Sequence, residues 1–202
     1  MRAAEWVKGN AERYEAKCAA LQVVTTRLTL REILAFVLFT PQLRYERSVR
    51  AWRYYMSTGI VLPDNMWKTR KGWLDHMPDD GDINAMIVNR TLKESAAMLA
   101  ANVPGLGLTK APFFLSLLFP CHPRVPVCTD VHMLRAVGMR VAADGKIKAP
   151  VTTLREAQAR LQRRARRAGI PSFTYQWALW DYTRSGGVPV KETSLERDLA
   201  VR

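Results

Sequence analysis

The chain has 202 residues, 48% of them hydrophobic, with 31 Lys and Arg against 18 Asp and Glu, a formal charge of +13 and a pI of about 10.2. That length suits one core, or two small lobes sharing a cleft, and is short for independent domains. Three cysteines, Cys18, Cys121 and Cys128, without a CxxC pair, exclude a disulfide framework and a cluster held by four thiolates.

The segment from Met1 to Gln22 mixes Glu5, Lys8, Glu12, Arg13, Glu15 and Lys17 into a helical pattern unlike a signal peptide. Thr29 with Glu32 forms a capping-box pair ahead of the apolar run Ile33 to Phe39. That run, at seven residues, is too short to span a bilayer, and the expected location is the cytoplasm. Pro41 ends the helix or opens the next, and Tyr45 to Met56 reads as a second. There Arg44, Arg47, Arg50 and Arg53 recur at spacings of three. Such a stripe suits a solvated helix face or a grip on phosphates.

Gly72 and Pro78 interrupt the next stretch, with a short helix predicted over Met66 to His76 and another starting at Asp82. Thr91 to Ala101 and Leu108 to Phe119 are predicted helices separated by Val103-Pro104-Gly105-Leu106-Gly107. Pro120, Pro123 and Pro126 mark an irregular connection, followed by a helix over Thr129 to Val137 and a polar loop over Ala143 to Pro150. The closing helices are Thr153 to Ala168, rich in arginine at its far end, and Ser172 to Thr183; residues 186–202 are expected to be a loosely held tail.

Charge and hairpin point the same way. Lys and Arg that neutralise phosphates release counterions, giving salt-dependent and largely sequence-independent affinity, so a nucleic acid is the expected partner of a +13 chain. Gly105 and Gly107 allow a tight turn that directs backbone N–H groups outward at a helix start, which suits a phosphate. With His76, His122 and His132 the only histidines, and no HExxH, neither a metal nor another cofactor is expected.

The pairing of Pro104-Gly105-Leu106-Gly107-Leu108-Thr109-Lys110 with Val125-Pro126-Val127-Cys128-Thr129-Asp130-Val131-His132-Met133 resembles the helix-hairpin-helix (HhH-GPD) DNA glycosylase superfamily, nearest its 8-oxoguanine branch. The resemblance covers roughly Thr29 to Arg184 and is motif-like from Val103 to Arg135. It implies a single all-α domain of two lobes around a cleft, one of residues 1–40 and 140–185, the other of residues 41–139. Duplex DNA with a flipped base is the implied partner of a monomer with no membrane attachment. Asp130 then stabilises the sugar cation or prepares a nucleophile, and Lys110 is the candidate Schiff-base nucleophile. The implied DNA contacts are Gly105, Gly107, Leu108, Thr109, His132 and Arg135, with Gln42, in Phe39-Thr40-Pro41-Gln42, reaching the target base or the opposite strand.

Superposed on the family turn, the lysine position falls on Thr109. One residue turns a helical side chain by about 100°. Either the hairpin holds one extra residue and Lys110 reaches the pocket, or the chain lacks the lyase nucleophile. The wording also resembles phage base-hypermodification proteins of the thymine pyrophosphorylase or amino acid:DNA transferase type, in which the glycosidic bond survives; a phage-encoded protein would work in the host cytoplasm. A DNA binder without catalysis is the third reading, though Asp130 near a phosphate would weaken binding. Phe113, Phe114 and Met133 read as core residues, as does Cys128, and His132 suits either packing or a phosphate contact. Among Trp52, Trp67, Trp73, Trp177 and Trp180 are candidates for stacking on a base.

Overall fold

The structure, a computed structural model, describes residues 3–41, 43–139, 150–186 and 193–200. Among them lie twelve helices and no strand. In chain order these are α1 (Ala3–Gly9), α2 (Ala11–Thr25), α3 (Leu30–Phe39), α4 (Tyr45–Thr58), α5 (Trp67–Asp75) and α6 (Asp80–Ala85). After them come α7 (Leu92–Asn102), α8 (Gly107–Leu118), α9 (Val131–Ala136), α10 (Val151–Ala168), α11 (Ser172–Arg184) and α12 (Leu195–Asp198). The fold is all-α, as expected.

Capping chemistry sets several boundaries. The Glu32 N–H donates to Thr29 Oγ1 at 3.2 Å and the Thr29 N–H donates back to Glu32 Oε2 at 2.8 Å, closing the expected box at the start of α3. Thr91 and Glu94 repeat that arrangement at the start of α7. Asp79, rather than Asp82, caps α6, accepting the Asp82 N–H at 2.8 Å. The single amino-terminal helical pattern is broken at Gly9 and Asn10, both weak helix formers, and Asn10 Nδ2 donates to the Trp6 carbonyl at 2.9 Å. The polar loop predicted over Ala143 to Pro150 lies outside the described residues except for Pro150, which starts α10.

Helix packing sorts into two groups. α11 packs on α1, α2, α9 and α10, while α3 packs on α4, α5, α6 and α8, and α7 packs on α8. α8 joins the groups through its contacts with α2 and α10. Residues Ile33 to Phe39 of α3 are all buried, so this stretch is apolar all round and needs neighbours on every side, which α4, α5, α6 and α8 supply.

The tail also departs from expectation over residues 193–200. Thr193, Leu195 and Leu199 are buried, and α12 packs on α2. The buried Asp181 carboxylate draws the segment in: it accepts the Tyr14 hydroxyl at 2.7 Å, the Thr193 hydroxyl at 3.0 Å and the Thr193 N–H at 3.2 Å. Burial pushes the Asp181 carboxyl above the usual aspartate range, against the lowering effect of those donors. Beyond it, Asp198 accepts the Tyr45 hydroxyl at 2.7 Å and Arg53 at 3.3 Å.

Candidate active site

The hairpin begins where Val103 leaves α7 in an extended conformation, its N–H donating to the Leu99 carbonyl at 2.9 Å. Leu106 is buried and turns the chain with an N–H donated to Val103 at 3.2 Å. Gly105 has φ +80°, and a Cβ there would lie 2.2 Å from Trp73 Cδ2, so the hairpin is seated directly on the Trp73 indole. Trp73 is thereby a support of the hairpin.

Bonding along α8 starts with the Lys110 N–H, which donates to the Leu106 carbonyl at 3.2 Å. The N–H groups of Gly107, Leu108 and Thr109 have no acceptor among the described residues, and Leu106 provides no side-chain cap. Gly107 and Leu108 are exposed and Thr109 is half-buried. Residues 100–105 and Gly107 line an open concavity of about 450 Å³. Free N–H donors at a helix start beside such a hollow are suited to a phosphate oxygen.

Asp130 caps α9. Its Oδ1 accepts the Met133 N–H at 2.9 Å, and its Oδ2 accepts the Trp180 indole N–H at 2.8 Å. The connection leading to it is irregular, and side chains from three helices satisfy its backbone. Ser116 of α8 donates to the Pro126 carbonyl at 3.0 Å, and from α10 Gln162 donates to Val125 at 3.5 Å and Gln158 to Val127 at 3.1 Å. From α11, Ser172 donates to Pro123 at 3.0 Å, and Gln176 Oε1 accepts the Cys128 N–H at 2.9 Å.

Lys110 is half-buried, with Nζ 5.4 Å from the centre of the Phe113 ring. No carboxylate lies within ion-pairing distance of it among the described residues. The Cys128 thiol is pushed up to about 12 by burial; the Lys110 charge acts to lower it and the Asp130 charge to raise it.

The remaining expected contacts are dispersed. His132 is half-buried with its ring edge-on to Trp180 at 6.0 Å, and Arg135 is exposed. Gln42 lies outside the described residues; its neighbour Pro41 is held through its carbonyl by Arg70 Nη2 at 2.7 Å, while Nη1 of the same buried arginine pairs with Asp64. In the arginine stripe of α4, Arg53 serves the tail, and Arg44, Arg47 and Arg50 are exposed. Phe114 and Met133 are core residues, and Phe113 packs against that core. Trp177 is buried and donates to the Thr193 hydroxyl at 2.7 Å.

Sequence reasoning missed the link from Trp180 to Asp130 and the role of Gln176. A signal was present, because Ser172, Gln176 and Trp180, each with a hydrogen-bonding group, recur every fourth residue along one helix.

No protein-family model matches the sequence, and no curated protein sequence matches it. Solved structures do. The Methanocaldococcus jannaschii 8-oxoguanine glycosylase/lyase, in complex with a 15mer DNA containing 8-oxoguanine, superposes with a TM-score of 0.72 at 14% identity, covering 94% of this chain and 100% of that one. The 8-oxoguanine DNA glycosylase of Thermotoga maritima superposes with a TM-score of 0.69 at 17% identity, covering 93% and 96%. No helix among the described residues is long and apolar enough to cross a membrane. This chain shares the fold of these 8-oxoguanine DNA glycosylases.

Proposed function

We propose that the protein is a DNA N-glycosylase that flips a modified base from the duplex, with Asp130 and Lys110 at the reacting sugar. The observation that carries this reading is the Asp130 carboxylate, fixed by the Met133 N–H and the Trp180 indole N–H, in a chain whose hairpin leaves the N–H groups of Gly107, Leu108 and Thr109 free at the start of α8, the helix that carries Lys110. The fold shared with the two 8-oxoguanine enzymes supports it, as does the +13 charge.

In this reading the hairpin and α8 hold a phosphate while unstacking delivers the nucleotide to the cleft. The Lys110 amine, in its unprotonated form, attacks C1′; the C1′–N bond breaks, and the base departs with the bonding pair and takes up a proton. The Asp130 carboxylate offsets the positive charge that develops on the sugar. Ring opening then gives a Schiff base between Lys110 and C1′, the species that borohydride reduces to a stable link.

The test is a panel of duplexes carrying single modified bases, with 8-oxoguanine first and 5-hydroxymethyluracil included. Base release and a borohydride-trapped protein–DNA adduct are expected. Lys110→Gln should abolish the adduct, and Asp130→Asn, which still caps α9, should slow release. No release from any duplex, with tight DNA binding retained, would refute the glycosylase reading. Release without an adduct would instead assign the attack to water.

A further inference from the structure

We infer that Trp180 is a positioning residue for Asp130, acting through its indole N–H. This rests on the proposed glycosylase reading and goes beyond it by assigning a function to a side chain in the closing helix. Among the described residues, the two carboxylate oxygens of Asp130 have one donor each: the Met133 N–H on Oδ1 and the Trp180 indole on Oδ2. The first ties the carboxylate to its own helix. The second ties it to α11, a different element, and sets the rotation of the carboxylate plane.

The indole is itself fixed from several directions. Arg184 lies over the Trp180 ring at 4.9 Å, while Tyr45 of α4 meets it edge-on at 6.3 Å and His132 of α9 at 6.0 Å. The Tyr45 hydroxyl is held by Asp198 at 2.7 Å, and Arg184 reaches Glu46 of α4 at 3.5 Å. The indole donor is thus braced by α4, α9 and the docked carboxyl-terminal segment, and its direction is fixed before any substrate arrives. A charged group that must face a developing sugar cation gains from such support, because reorientation during the reaction is avoided.

Two replacements isolate the N–H from the ring. Trp180→Phe keeps an aromatic ring and loses the donor, and biosynthetic replacement of Trp180 by benzothienylalanine keeps the bicyclic shape with sulfur in place of N–H. Single-turnover base release, DNA affinity and thermal midpoint are measured for each alongside the unmodified protein. Both replacements should slow base release by about tenfold or more, the range for a hydrogen bond to a charged group, with DNA affinity and melting temperature held. Combined with Asp130→Asn, Trp180→Phe should add little further loss, since the donor acts through the carboxylate.

Release at the unmodified rate from either replacement overturns the positioning role and leaves the glycosylase reading standing. A loss confined to DNA affinity overturns it in favour of stacking on a base, and a fall in melting temperature that accounts for the lost rate overturns it in favour of packing. If the unmodified protein releases no base from any duplex, both readings fall together.

Discussion

Replacing Gly105 by alanine is a direct test of how the hairpin is seated. A Cβ at this position would lie 2.2 Å from Trp73 Cδ2 and 2.6 Å from both Cε2 and Cε3. Carbon atoms rest about 3.5–4.0 Å apart, so the indole or the hairpin must move by more than about 1 Å. The backbone adds its own strain, since φ is +80° and a left-handed non-glycine residue costs about 1–2 kcal/mol. Overpacking adds about 1–3 kcal/mol, for a combined loss of about 2–5 kcal/mol. In a chain of 202 residues that lowers the melting temperature by roughly 4–20 °C. Gly107 supplies the control, because its φ is +54° and nothing lies within 4 Å of a Cβ built there. Gly107→Ala should show the backbone cost alone, about 1–2 kcal/mol. Circular-dichroism melts of the two variants measure the difference, and adding Trp73→Ala to Gly105→Ala should recover part of it. Equal melting temperatures for Gly105→Ala and Gly107→Ala, or strict additivity with Trp73→Ala, would refute the seating of the hairpin on the indole.

Other consequences follow from the packing around Asp130 and the tail. Gln176→Leu strands the buried Cys128 N–H and should lower stability by about 1–3 kcal/mol, read by urea denaturation; an unchanged midpoint would show that the amide finds another acceptor. Thr29→Ala removes one half of the capping box and should cost about 1 kcal/mol in the same assay. The Cys18 and Cys128 thiols, both pushed up to about 12 by burial, should resist a thiol reagent at pH 8 while the exposed Cys121 reacts, and denaturant should release all three; rapid native reaction at Cys128 would contradict its burial. Because burial raises the folded-state value of Asp181, its protonated form favours folding. That contribution is complete below the unfolded aspartate range, near pH 4, and fades as pH rises through the raised folded value. The melting temperature of the unmodified protein minus that of Asp181→Asn should therefore fall as pH climbs from 4, and a rising difference would reverse the assignment.

Local signals carried much of the fold. The Thr29-Glu32 capping box and the apolar run Ile33 to Phe39 place α3 from the sequence, the apolar positions Leu92, Ala96 and Leu99 place α7, and the Pro-Gly-Leu-Gly turn places the hairpin between α7 and α8. Long-range pairings were not legible. Nothing near Gly105 in sequence announces that Trp73 fills the space beneath it, and nothing in Thr193 announces that Asp181 and Lys17 hold it from two helices. The tail's composition resembled a free end because its burial rests on Leu195 and Leu199, a pair too short for a periodic signal. At the site, Asp130 and Lys110 were identifiable by motif, but the support of Asp130 depends on side chains roughly fifty residues away, a separation that spacing arguments do not reach.

That support explains how an irregular segment can hold the Asp130 carboxylate in a fixed direction. An irregular stretch buried between helices has no ladder of its own, and each unpaired N–H or carbonyl would cost about 1–3 kcal/mol. Here the partners come in helical register: Gln158 and Gln162 are one turn apart on α10 and take Val127 and Val125, while Ser172, Gln176 and Trp180 are successive turns of α11 and take Pro123, Cys128 and Asp130. The spacing of these hydrogen-bonding side chains on rigid helices thereby fixes the path of residues 123–130. The carboxylate at the end of that path inherits the precision of two helices although it stands on a loop. A buried polar stripe at every fourth residue is consequently the feature to seek when an acid follows a proline-rich connection, because burial leaves that backbone no other source of partners.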